Sequence, residues 1–136
     1  MQVTINLWAV LVAAIVNMAV GMLWYGPLFG KMWKSLMGLT DESVKSMKLS
    51  PMQAMCGGLV TSLVMAYVLA YFTAIVGVAG VAGAFQLAFW IWLGFVATVS
   101  LGSVLWEGKP FKLFVLKAAE HLVALFLMAV VLVLWK

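Results

Sequence analysis

From about Val3 to Tyr25 the chain runs without a charged residue. A run of roughly 20 apolar residues is the length that a bilayer core about 30 Å thick demands of a helix. The pattern returns over about 51–76, 84–106 and 111–135. In hydrocarbon every backbone N–H and C=O must be paired inside the protein, and a helix does this within one segment. The runs therefore predict an all-α membrane protein with four transmembrane helices in a bundle, as one transmembrane domain over residues 1–136. Composition agrees: 67% of residues are hydrophobic and 9% are charged, against about 25% charged in a soluble domain. The first run has no basic stretch ahead of it and exceeds a signal-peptide core, so it reads as a retained span.

All eight basic residues are Lys, and the net charge is +4. In a soluble protein that balance would suggest nucleic acid. Here the Lys residues lie mainly between apolar runs, as topology signals do, so the expected partner is the lipid bilayer and not nucleic acid. Lys31, Lys34, Lys45 and Lys48 mark the first loop, Lys109 and Lys112 the third, and the second loop carries none. Both charged loops are expected in the cytoplasm and both termini outside, with Lys136 opposing.

Along span one, Ala9, Ala13, Asn17 and Gly21 recur every fourth residue. Small residues at this spacing let helix backbones approach in lipid, where packing drives association. Trp24 and Tyr25 close the span as an interfacial aromatic anchor. Gly26-Pro27 is expected to stop the helix. Residues 26–50 then read as a cytoplasmic amphipathic loop. In it Leu28, Phe29, Met32, Trp33, Leu36 and Met37 share a face opposite Lys31, Lys34 and Ser35, and the segment is too short to span. Trp24, Tyr25, Gly26, Pro27, Lys31 and Trp33 form its interfacial motif. Gly38 ends it, and Thr40 with Asp41 and Glu42 is expected to cap a second short helix.

Ser50-Pro51-Met52-Gln53 announces span two with a capping Ser, a first-turn Pro and a Gln three residues after the cap. Gly58, Ser62, Ala66, Ala70 and Ala74 form an unbroken small-residue stripe there. It fits packing inside one bundle or between two copies, and a homo-oligomer is the expected state. Span three carries a similar face at Gly94, Thr98 and Gly102.

The last run holds Lys117, Glu120 and His121 at i, i+3 and i+4, on one expected helix face. Ionisable groups at membrane depth face a protein interior or a water-filled cavity. Counted from the cytoplasmic ends at about 1.5 Å per residue, Asn17, Thr61 with Ser62, Thr98, and Glu120 with His121 all lie about 12–14 Å deep. Lys117 is shallower and can snorkel. This layer of Asn17, Ser62, Thr98, Glu120 and His121 is open to two explanations. One is a structural lock of satisfied polar groups. The other is a substrate or proton site in which Glu120 and His121 titrate. One His and one Glu are too few for a metal, Cys56 is the only cysteine, and no cofactor is expected. No nucleophile stands with a base and an orienting group, so the chain does not read as an enzyme.

The block WYGPLFGKMW, Trp24 to Trp33, resembles a bacterial family of small four-span membrane proteins of unknown function. Met65-Ala66-Tyr67, Trp92-Leu93-Gly94-Phe95, Glu107-Gly108-Lys109-Pro110 and His121-Leu122-Val123 extend the likeness over nearly the whole chain. It implies four spans and a bacterial inner membrane, and no activity. In that family the position before His121 is often Tyr. Here it is Glu120, so His121 is the firmer site residue. Function is therefore expected to be a structural or accessory role in a homo-oligomer. The alternatives are a small transporter or proton-coupled carrier at the polar layer, and a lipid or hydrophobic-ligand binder suggested by seven Trp and ten Met. The plainer role of those side chains is as membrane anchors and core filler, and the identity of any small-molecule ligand is left open.

Overall fold

The computed structural model describes residues 3–38 and 51–135. The capping signals at Thr40 and Ser50, and Lys45, Lys48 and Lys136, lie outside them. Among the described residues the α-helices are α1 (Leu7–Leu23), α2 (Gly30–Met37), α3 (Pro51–Val76), α4 (Gly80–Ile91), α5 (Thr98–Glu107) and α6 (Phe111–Leu134). A π-helical turn over Trp24–Leu28 follows α1, and a second over Trp92–Ala97 joins α4 to α5. Four continuous stretches are long and apolar enough to cross a membrane: Leu7–Leu28, Met52–Val76, Gly80–Glu107 and Phe111–Leu134.

The helix ends follow from local chemistry. α1 starts at Leu7 because the Asn6 side chain accepts from the N–H groups of Trp8 and Ala9, at 3.0 and 3.4 Å, which caps otherwise unpaired donors. α4 starts at Gly80, four residues ahead of the expected Ala84. Gly77 and Gly80, with φ of 73° and 72°, reverse the chain in that short space, in a region that other residues rarely enter. α5 closes on Gly108, and the Lys109 N–H reaches back to the Ser103 carbonyl at 3.0 Å.

Gly26-Pro27 does not stop span one as expected. Pro27 has no N–H for the carbonyl of Leu23, and the backbone changes register: the Phe29 N–H bonds the Trp24 carbonyl at 2.8 Å, five residues back. Helical structure continues to Leu28, and the chain breaks at Phe29 instead. Gly30 is required at this corner, because a Cβ there would lie 2.8 Å from the Tyr25 carbonyl oxygen.

α6 is the hub. It packs against α1, α2, α3 and both halves of span three. The share of its span buried within the chain is 44%, against 11% for Gly80–Glu107. α1, α3 and α6 meet in a belt of small side chains. Ala13 and Ala14 of α1, Ala66 and Leu69 of α3, and Leu125, Met128 and Ala129 of α6 share one buried cluster. Ser62, Ala66 and Ala70 of the span-two stripe are thus used inside the chain; Gly58 and Ala74 at its ends are half-buried. Span three leans on α6 through Ala84, Ala88 and an edge-to-face contact of Phe85 with Phe126 at 5.2 Å. The face expected to pack at Gly94, Thr98 and Gly102 does not. Gly94 and Thr98 point outward, and no atom lies within 4 Å of a Cβ built on Gly94.

Candidate functional site

Where α1, α3 and α6 diverge beyond the alanine belt, they leave an open groove of about 480 Å³. Asn17, Gly21 and Tyr25 line it from span one, Thr61 and Ser62 from α3, and Glu120 and His121 from α6. The depth count thus brings together Asn17, Ser62, Glu120 and His121.

The Asn17 Nδ2 donates to Ser62 Oγ at 2.8 Å, a bond between helices 45 residues apart in sequence. Glu120 is buried, and its Oε2 lies 3.0 Å from His121 Nδ1. The His121 side chain is 41% exposed against 5% for Glu120, so the imidazole stands between the carboxylate and the open space. Gly21 lies beside this pair: a Cβ there would sit 3.6 Å from Glu120 Oε1, an ordinary contact.

Two indoles fix α6 beside the site. Trp24 Nε1 donates to the Leu116 carbonyl at 3.1 Å, and Trp92 Nε1 to the Ala118 carbonyl at 2.7 Å. Each Trp opens one of the π turns. Leu116 lies one helical turn before Glu120, so these bonds hold the rotation of the helix that carries the carboxylate. The sequence suggested only an interfacial anchor at Trp24; its indole turns inward and lies 4.7 Å from the Phe29 ring. Tyr25 meets Trp33 at 5.3 Å, while Gly26, Pro27 and Lys31 are exposed.

One expected member of the layer falls elsewhere. Thr98 is exposed, and its hydroxyl donates to the Gly94 carbonyl of its own helix at 2.8 Å. Lys117 does not share the groove with Glu120. It lines a separate cleft of about 90 Å³ with Ser100, Ser103, Glu107 and Lys109. A further recess of about 290 Å³ opens at the opposite end of α1, α3 and α6, lined among others by Val3, Ala9, Ala70, Thr73, Leu132 and Trp135. Both described chain ends therefore lie at that end of the molecule.

Fold and groove define a small all-α membrane protein of the multi-pass class, with a polar recess among its helices. The chain belongs to the family described as "Protein of unknown function (DUF1761)", whose model matches residues 8–133. No curated protein and no solved structure matches it.

Proposed function

We propose that this protein is a small proton-coupled carrier of a bacterial inner membrane, with its ligand site in the groove between α1, α3 and α6. One observation carries the reading. The buried Glu120 carboxylate and the partly exposed His121 imidazole touch on the wall of an open groove. A purely structural lock has no need of an open side. Acid–His pairs inside membranes mark proton paths, and His changes charge near neutral pH. The recess at the opposite end supports the same reading. Three helices that open at both ends and close on alanines between them can exchange access by rocking.

The test is water access. In a Cys56→Ser background, His121→Cys in sealed vesicles is expected to react with a membrane-impermeant maleimide. Ala129→Cys, in the belt, is expected to stay unlabelled. An unreactive position 121 in a folded, inserted variant overturns the carrier.

A structural, homo-oligomeric role is the second reading, favoured by the 11% burial of span three within the chain. Light scattering in detergent that gives only the monomer mass excludes it. In either case both termini are assigned outside the cytoplasm, so an alkaline phosphatase fused after Lys136 is expected to be active.

A further inference from the structure

The groove does not end at its polar wall. A recess of about 680 Å³ adjoins it, lined by Met18, Met52, Met55, Cys56 and Leu59. Met18 and Met55 line both spaces. One end of the joined cavity thus offers a carboxylate, an imidazole, an amide and hydroxyls. The other offers thioethers, a thiol and an aliphatic side chain. The shape is that of a molecule with one polar head and one apolar body.

The charge of the head is set by the groups that face the groove. From span one come the Asn17 amide and the Tyr25 phenol, and from α3 the hydroxyls of Thr61 and Ser62. From α6 come Glu120 and His121, while Lys117 lines the separate cleft on the other side of that helix. Among the described residues no Lys lines the groove. Glu120 is the acidic side chain of the wall, and an anionic head would meet it with no Lys among the described groove residues to offset it. A metal ion such as Ca²⁺ takes six to eight oxygen ligands, and a wall bearing one carboxylate does not provide them. A charge at this depth requires a counter-charge, and methionine walls adapt to varied apolar bodies.

We propose that the joined groove binds a monovalent amphiphilic cation, its ammonium-type head at Glu120 and its apolar body along Met18, Met52 and Met55. This rests on the carrier reading of the same site and names its substrate class. Binding and the His121 proton are then alternatives: an imidazolium beside Glu120 cancels the charge that draws the cation, so loading the cation releases the proton.

The full chain in phosphatidylcholine nanodiscs, assayed by equilibrium dialysis against empty discs, tests this. Decyltrimethylammonium is expected to bind saturably, and each methylene removed from its chain to weaken binding about four-fold. Decyl sulfate is expected to show no saturable binding. Lowering the pH to about 5 is expected to weaken the cation at least ten-fold, because protons compete with it for the Glu120–His121 pair. Glu120→Gln is expected to abolish saturable binding, and His121→Ala to flatten its pH dependence. The wild-type pH series needs no variant to fold. Equal binding of the sulfate, or cation binding indifferent to both pH and Glu120→Gln, overturns the proposal. Cation binding lost together with maleimide access at position 121 removes the carrier as well. Access without cation binding removes only the substrate class.

Discussion

The two ends of the α1–α3–α6 trio are built from the same helices and differ in what their polar groups do. At the end near the termini, Asn6 caps its own helix and Thr73, though buried, donates to the Ala70 carbonyl one turn back. Among the described residues, those lining that recess include no titratable side chain. At the other end Asn17 reaches Ser62 on another helix, and Glu120 holds His121 beside open space. Polar side chains satisfied by the backbone of their own helix, as Asn6 and Thr73 are, stabilise that helix and leave nothing for a ligand. Groups satisfied between helices tie the contact to the state of the site. The alanine belt separates the two ends, since side chains of that size let three backbones converge.

The sharpest break of this contrast is a pair of substitutions, one at each end. Glu120→Gln removes the titratable charge and keeps the shape. In liposomes carrying an internal pH dye, cation-driven proton release is expected to fall at least ten-fold. Thr73→Val, at the buried hydroxyl of the other recess, is expected to leave it within about two-fold. An equal loss for both would mean that the ends are not chemically distinct.

The belt gives the next largest effect. Ala66 is fully buried between α1 and α6, and extra methylenes in a packed core typically cost about 1–3 kcal/mol. Ala66→Leu is expected to lose that much in detergent-titration unfolding. Ala74→Leu, half-buried at the margin of the stripe, is expected to lose less than half as much. If the two cost the same, the helices do not close where the alanines are.

The fold was readable because span length and apolarity are set by the bilayer and need no knowledge of neighbours. The site was readable in part. Counting residues gives depth, and depth placed Asn17, Ser62, Glu120 and His121 correctly together. Depth carries no azimuth. Thr98 comes directly after the π turn over Trp92–Ala97. The residue inserted by a π turn rotates the downstream helix by about 100° relative to a straight one. Lys117 failed for a related reason. Positions i and i+3 share a face loosely, and α6 is wrapped on several sides, so a difference of about 60° in azimuth sends one side chain to each cleft. The indoles of Trp24 and Trp92 dock to carbonyls of a distant segment, which no local pattern announces.

Those indoles supply the next test. Trp24→Phe and Trp92→Phe keep the ring and delete one N–H donor each. Each is expected to cost about 1 kcal/mol of stability, the usual net worth of such a bond. Both carbonyls also serve the α6 ladder, so neither is left wholly unpaired. If α6 is held in rotation by these bonds, maleimide labelling at position 121 is expected to slow in both variants, although neither Trp lines the groove.

The smallest expected effect concerns the bond between Asn17 and Ser62. Hydrogen bonds between membrane helices average about 0.6 kcal/mol, because the unfolded chain in lipid also finds partners. Ser62→Ala is therefore expected to lower stability by about that amount. The Ala side chain still suits the stripe, and the Asn17 amide is left facing a groove that water enters. The same substitution in a closed lock would strand a buried amide and cost about 1–3 kcal/mol. The size of this one small loss thus separates an open groove from a sealed polar layer, with no ligand in the assay.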